Sequence, residues 1–167
     1  ILRKYGDIDL CVFSTGTYDP KTEKNINLDQ IENVMKVNFF GTLNCIKAVE
    51  DYLKNKKGGH IAIMSSVAGY RGLPNSSGYG PSKAALINLS ESLYFDFKRY
   101  KVRISLISPG FIKTPLTDKN EFKMPFLKSP EFAANKIYSG LIKNKSFEIT
   151  FPKELTIIMK IFKVLPN

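Results

Sequence analysis

The sequence predicts an α/β fold, a doubly wound parallel sheet with flanking helices, and three observations carry that reading. Four short β-rich runs, Ile8–Phe13, His60–Met64, Val102–Ile107 and Phe147–Phe151, punctuate the chain. The first three are nearly continuous apolar or β-branched stretches rather than alternating ones, which suits strands buried on both faces. Stretches of helical periodicity separate them, so the order is β-α-β-α-β-α-β, and such alternation closes into a parallel sheet through right-handed crossovers.

Each connecting stretch has its own signals. The first helix is expected from about Leu28 to Lys56, with Asn27 as N-cap. Its inward positions read as Ile31, Val34, Val37, Cys45, Val49 and Tyr52, and Gly58-Gly59 ends it. The second runs from about Pro81 to Tyr100, with Pro81 suited to the first turn and Ala85, Leu89, Leu93 and Phe97 spaced four apart on one face. A third covers about 130–143, with Phe132, Ala133, Ile137 and Leu141 inward. Residues 153–167 read as a separate C-terminal amphipathic segment. Leu155, Ile158, Met159, Phe162 and Leu165 share a face and Lys160 and Lys163 lie off it, so residues 1–152 make up the main region. The preferred reading of the tail is a helix packed on the domain or a subunit, with peripheral contact to an anionic membrane surface as the alternative.

Composition narrows the function classes. The 167 residues are 43% apolar, enough for one buried core. His60 is the only histidine, and neither of the two cysteines, Cys11 and Cys45, sits in a CxxC pair. A Cys/His zinc site and a Ser-His-Asp hydrolase are therefore both excluded as working hypotheses. The sparse cysteines fit a reducing, cytoplasmic setting. The net charge of +10 comes mostly from lysines spread along the chain. This argues for a solvated surface rather than a nucleic-acid face, which would gather arginine and aromatics. No apolar run reaches the length of a bilayer span. The opening residues 1–7 contain neither an initiator Met nor an apolar signal region, and read as the interior of a domain.

In open α/β sheets, ligands bind beyond the carboxyl ends of the strands. The residues there are small: Ser14-Thr15-Gly16, Ser65-Ser66-Val67-Ala68-Gly69 and Ser108-Pro109-Gly110. At the entrance to the second long helix, Tyr79 and Lys83 stand i, i+4 on one face. An ammonium favours a neighbouring phenolate, and a phenol tuned in this way passes protons near neutrality. Ser66 precedes Tyr79 by thirteen residues and could meet it above the sheet. Asn38 is a polar amide inside an apolar helix face and needs a partner. Taken singly, Tyr79 and Lys83 are a chance helical pair, Ser66 a turn serine and Asn38 a satisfied amide. Order, spacing and strand-end placement together make the set specific.

These segments resemble the C-terminal two thirds of a short-chain dehydrogenase/reductase. They are Val37-Asn38-Phe39-Phe40-Gly41-Thr42, Met64-Ser65-Ser66-Val67-Ala68-Gly69, Tyr79-Gly80-Pro81-Ser82-Lys83-Ala84-Ala85 and Ser108-Pro109-Gly110-Phe111-Ile112-Lys113-Thr114. The resemblance implies a partial Rossmann-like sheet and an NAD(P)-dependent oxidoreductase that interconverts a carbonyl and an alcohol, with NAD or NADP left open. It makes Tyr79 the acid/base, Lys83 the group that lowers its pKa and binds the nicotinamide ribose, Ser66 the group that polarises the substrate carbonyl, and Asn38 the anchor of a relay water. Ser14, Gly16, Pro109, Gly110, Ile112 and Thr114 join Tyr79 and Lys83 as cofactor contacts. A homo-oligomer formed through the two long helices is implied in the same way. The stretch Leu116–Ser129 would be the substrate lid, with Phe122, Met124 and Phe126 near substrate.

Two departures stand out. Phe13-Ser14-Thr15-Gly16 replaces the family's Asn-Asn-Ala-Gly, and the Gly-rich turn that cradles the pyrophosphate does not occur. Only strands 4 to 7 of the family order 3-2-1-4-5-6-7 are then present, which leaves the edge of the first strand open. The chain reads as the catalytic half of a reductase whose N-terminal fragment is missing. The rival expectation is a non-catalytic or split half-domain that works only with a partner fragment, or a basic membrane-surface binding module.

Overall fold

The computed structural model describes residues 2–166. A single turn, α1 (Leu2–Tyr5), precedes β1 (Leu10–Phe13). Then follow α2 (Leu28–Met35), a π-helical turn over Lys36–Phe40, α3 (Gly41–Lys56), β2 (His60–Met64), α4 (Tyr79–Lys98), β3 (Arg103–Pro109), α5 (Pro130–Tyr138), a second π-helical turn over Ser139–Asn144, β4 (Glu148–Phe151) and α6 (Lys153–Val164). The strands form one parallel sheet in the order β1-β2-β3-β4, as the alternation requires. The expected parallel α/β sheet and all four strands are present, with ends shifted by one or two residues.

Both faces of the sheet centre are covered. On one side Ile61 and Ile63 pack with Ile104, Ile46, Leu53, Leu86 and Phe97 from α3 and α4. On the other, Ala62 and Ile107 meet Ala133, Leu141, Ile149 and Phe151. Adjacent strand residues thus serve opposite cores, and this is why β2 and β3 read as unbroken apolar runs. β1 departs from that expectation. It pairs only with β2, its residues are half-buried, and Val12 is exposed. Among the described residues it is an edge strand.

The helix faces differ from simple periodicity in an instructive way. Asn27 caps α2 as expected, accepting from the Gln30 backbone N–H at 3.1 Å. The π turn then adds a residue to the winding, so the buried line runs Val34, Asn38, Thr42, Ile46 and Leu53, while the expected Cys45 is exposed. The helix ends at Lys57, which adopts a left-handed cap (φ 54°), ahead of the expected Gly58-Gly59. In α4 the fully buried line is Ser82, Lys83, Leu86, Ile87, Ser90 and Phe97. The expected Leu89 and Leu93 pack only half-buried against the core. In α6, Leu155 and Met159 join Val67, Tyr70, Ile87 and Leu106, whereas Ile158, Phe162 and Leu165 stay exposed. Among the described residues no helix is long and apolar enough to cross a membrane.

His60 belongs to the core rather than to a site. It is 2% exposed, its Nε2 lies 2.9 Å from Ser105 Oγ, and that hydroxyl donates onward to the Ser146 carbonyl at 2.6 Å. Nε2 is therefore the donor, and Nδ1 has no partner among the described residues. Burial, reinforced by Arg103, pushes the His60 pKa from 6.5 down to about 4. The unfolded chain takes this proton first. The His60 contribution is therefore fully present above pH 6.5 and is lost as pH falls toward 4. Denaturant titrations at pH 7 and pH 4.5 should differ by on the order of 2 kcal/mol more in the wild type than in His60→Gln. Equal losses in the two proteins would show that other groups account for the acid sensitivity.

Candidate active site

Tyr79 is the first residue of α4 and Lys83 follows one turn later. The Lys83 ammonium lies 5.5 Å from the centre of the Tyr79 ring and donates to the Met64 carbonyl at the end of β2 at 3.0 Å. Ser66 lies two residues beyond Met64 in extended conformation, and its Oγ accepts from the Ala68 backbone N–H at 3.2 Å, capping the short turn Val67–Gly69. Strand end, capped turn and helix start thereby bring Ser66, Tyr79 and Lys83 to one place.

Burial, not the ammonium, governs the acid–base state of the phenol. Burial raises the Tyr79 pKa, the Ser66 hydroxyl pulls it down, and the Glu23 carboxylate adds a further push upward. This differs from the expectation that Lys83 lowers it. Burial itself brings Lys83 down to about 8. Tyr79 is therefore a neutral phenol at pH 7, the proton-donating form.

Asn38 finds the protein partners that a buried amide needs. It is fully buried in the π turn. Its Oδ1 accepts from the Thr17 N–H at 2.7 Å, and its Nδ2 donates to the Thr17 carbonyl at 3.0 Å and to Ser82 Oγ at 3.0 Å. Ser82 Oγ in turn donates to the Tyr79 carbonyl at 2.7 Å. Both Nδ2 protons are used, while the side chain keeps one open lone pair on Oδ1. It ties the loop after β1 to the first turn of α4.

At Gly16 that loop passes within ordinary contact distance of Lys83 and Asn38. A Cβ there would lie 3.4 Å from Lys83 Nζ and 3.5 Å from Asn38 Oδ1. Gly110 presents bare main chain for a different reason, since a Cβ would meet Leu155 Cδ2 at 2.7 Å. Ser14 is exposed at the end of β1, and Pro109 is half-buried at the end of β3. Thr114 sits in a tight turn, its N–H donating to Thr117 Oγ1 at 3.0 Å. Ile112 turns its side chain into the core beside Ile107 and Phe151, so only its main chain is free to face a ligand. The strand ends thus present a surface of small residues beside a buried ammonium whose protein acceptor is a single carbonyl. That surface fits the ribose-and-amide end of a nicotinamide dinucleotide, with two ammonium protons of Lys83 available to a hydroxyl.

In front of Ser66 and Tyr79 opens a cavity of about 510 Å³. From the expected lid, Leu116 and Phe122 line it, whereas Met124 and Phe126 do not. Phe122 packs edge-on against Phe111, 5.7 Å between ring centres. Sequence reasoning missed Leu73 and Pro74 from the loop before α4, and Leu155 and Met159 from α6. It also missed Tyr18, whose ring leans on Tyr79 at 4.7 Å and whose hydroxyl donates to the Asn75 carbonyl at 3.1 Å. Burial and nearby Glu23 hold Tyr18 up at about 12.

Glu23 was missed as well. Only 3% exposed, it accepts through Oε2 from the N–H groups of Gly78 and Tyr79 at 2.9 and 3.0 Å. Negative charge at a helix N-terminus is favourable, and here it fastens the backbone of Tyr79 directly. A signal existed in the lone acid of the Lys21–Lys24 stretch, but nothing local linked it to a helix 55 residues away. Glu23→Ala strands two backbone donors and should cost about 1–3 kcal/mol, read as a drop in Tm. An unchanged Tm would mean that water replaces the carboxylate.

Residues 1–124 match the family described as short chain dehydrogenase. This chain belongs to the short-chain dehydrogenase family. An uncharacterized oxidoreductase of Myxococcus xanthus is 34% identical over 162 residues, covering 97% of this chain and 64% of the relative. A 3-oxoacyl-(acyl-carrier-protein) reductase of Thermotoga maritima is 30% identical over 119 residues, covering 71% and 48%. This chain thus spans about half to two thirds of the length of these relatives. The crystal structure of a short chain dehydrogenase from Burkholderia cenocepacia in complex with NADP superposes with a TM-score of 0.82 at 22% identity, covering 97% of this chain and 67% of that one. At that identity the likeness establishes the fold, a Rossmann-like sheet flanked by helices.

Proposed function

We propose that this chain carries the catalytic part of an NAD(P)-dependent oxidoreductase that interconverts a carbonyl and an alcohol. One observation supports the reading above all: Ser66 and Tyr79 line an uncharged cavity, with Lys83 one helical turn behind Tyr79 and the phenol held neutral by burial. In reduction, Tyr79 Oη hands its proton to the substrate oxygen while the Ser66 hydroxyl donates a hydrogen bond to the same atom. Lys83, protonated at pH 7 with its pKa at about 8, stabilises the phenolate that results. Asn38, Ser82 and Glu23 hold the first turn of α4 in place. A bound nicotinamide dinucleotide supplies or accepts the hydride, and Lys83, Gly16, Pro109 and Gly110 are the residues that would hold its nicotinamide end.

The 167 residues contain no Gly-rich pyrophosphate turn, and we take that cradle to be supplied by a segment outside them. Exposed Phe40, Tyr94 and Phe95 on the long helices support a homo-oligomer through α3 and α4. The free Cys11 and Cys45 support a reducing, cytoplasmic setting.

Fluorescence titration with NADPH and NADH tests the reading, using the chain alone and a chimera with the preceding residues of the Myxococcus relative fused ahead of residue 1. Saturable binding by either protein supports it. Failure of both to bind would overturn it in favour of a non-catalytic half-domain.

A further inference from the structure

We infer that the substrate of this site is a neutral, largely apolar carbonyl or alcohol of lipid or polycyclic size. The inference rests on the oxidoreductase reading for the reaction itself, but the cavity walls carry it. Charged residues make up 24% of the chain, yet none of the eighteen residues lining the cavity is charged. In so basic a protein this is a property of the site rather than of the surface. A phosphate, carboxylate or ammonium entering here would lose its hydration and find no counter-ion.

The polar groups that remain are uncharged: Ser66 and Tyr79, where the reacting oxygen belongs, and Tyr18, Asn75, Ser76, Thr117 and Asn120. The large apolar side chains include Leu73, Phe122, Leu155 and Met159. These come from three separate stretches: the loop before α4, the segment before α5, and α6. Leu155 and Met159 are 6% and 5% exposed and belong to the core. The deep wall is therefore rigidly backed, and the unbranched Met159 is able to adapt to a ring or a chain. Leu73 and Phe122 stand at the mouth, 37% and 51% exposed. An apolar ligand would cover both. At about 510 Å³ the space lies in the range that encloses most of a drug-sized molecule, far more than a small polar keto acid fills.

Binding is measured first without nucleotide. The neutral probe is a dimethylaminonaphthyl ketone, whose emission brightens and shifts to the blue in apolar surroundings, and the charged probe is its ring-carboxylated analogue. Saturable binding of the neutral ketone is expected, at least tenfold tighter than that of the carboxylate. Leu73→Asp and Phe122→Ser should each weaken it at least threefold. Both positions are exposed, so circular dichroism should show an unchanged fold. Equal or tighter binding of the carboxylate would overturn the inference, and so would neutral binding indifferent to both variants, which would place the probe elsewhere. Turnover with NADPH is then measured for the same ketone and for a small polar β-ketoester. A ketone that binds as described but is reduced under no condition counts against the oxidoreductase reading and leaves the ligand class standing. Reduction of the polar ester alone, with no binding of the ketone, does the reverse.

Discussion

Tyr79→Phe should lower kcat by about a hundred- to ten-thousand-fold while leaving nucleotide affinity nearly unchanged. The substitution removes one atom, the phenol oxygen, from a position that the rest of the site over-determines. The ring contact with Tyr18 at 4.7 Å is retained by a phenyl group. The backbone bond to Glu23 at 3.0 Å and the Tyr79 carbonyl accepting from Ser82 at 2.7 Å do not involve the side chain. Lys83 keeps its bond to Met64 at 3.0 Å. A nicotinamide-linked assay gives kcat, and a fluorescence titration gives the affinity. Retained turnover would take Tyr79 out of the proton-donor role. A parallel loss of affinity would mean that the hydroxyl acts in binding rather than in proton transfer.

Gly69→Ala should be the most damaging single-methyl addition near the site. A Cβ there would meet the Lys83 carbonyl carbon at 2.8 Å, the Ala84 nitrogen at 2.9 Å and Ile87 Cδ1 at 2.8 Å. Two of these are main-chain atoms inside a twenty-residue helix, and they cannot rotate away as a side chain can. Either α4 or the Val67–Gly69 turn must retreat. Overpacking of this kind costs about 1–3 kcal/mol. In a protein of this length each kcal/mol lowers Tm by about 2–4 °C. Activity should suffer beyond the loss of stability, because the turn carries Ser66 and the helix carries Tyr79 and Lys83. Gly72→Ala is the control, since a Cβ there meets nothing within 4 Å. Equal Tm and kcat for Gly69→Ala and the wild type would show that the helix and the turn are not in register-defining contact.

The sheet and the meeting of Ser66, Tyr79 and Lys83 were legible because both depend on local pattern. Strand runs such as His60–Met64 carry their burial in their composition, and Tyr79 and Lys83 are neighbours by helical geometry alone. The unread parts depend on distant contacts or on departures from ideal winding. The π turn at Lys36–Phe40 moved the inward line of α3 from Cys45 to Ile46, a one-residue change that no 3.6-residue template contains. Asn38 reads from the sequence as a buried amide, but its partners, Thr17 and Ser82, are visible only in three dimensions. Glu23, Leu73, Leu155 and Met159 reach the site from segments with no motif of their own. The acidity of Tyr79 was misjudged for a related reason: the sequence displays the nearby lysine and conceals the burial that outweighs it.

The position of β1 has a consequence for how the molecule breathes. Among the described residues β2 and β3 are hydrogen-bonded along both sides, whereas in this 167-residue stretch taken alone β1 has a partner on one side only. Backbone amides that point away from β2 need no opening event to meet solvent, so deuterium should enter Leu10–Phe13 early. Those of Ile61–Ile63 and Ile104–Ile107 wait for the sheet to come apart. The loop that Asn38 clasps leaves from this same strand, so the flank of the site nearest Gly16 hangs from the least protected strand of the sheet, while Ser66 hangs from one of the most protected. Protection against exchange should therefore fall from β2 to β1, across the width of a single binding site.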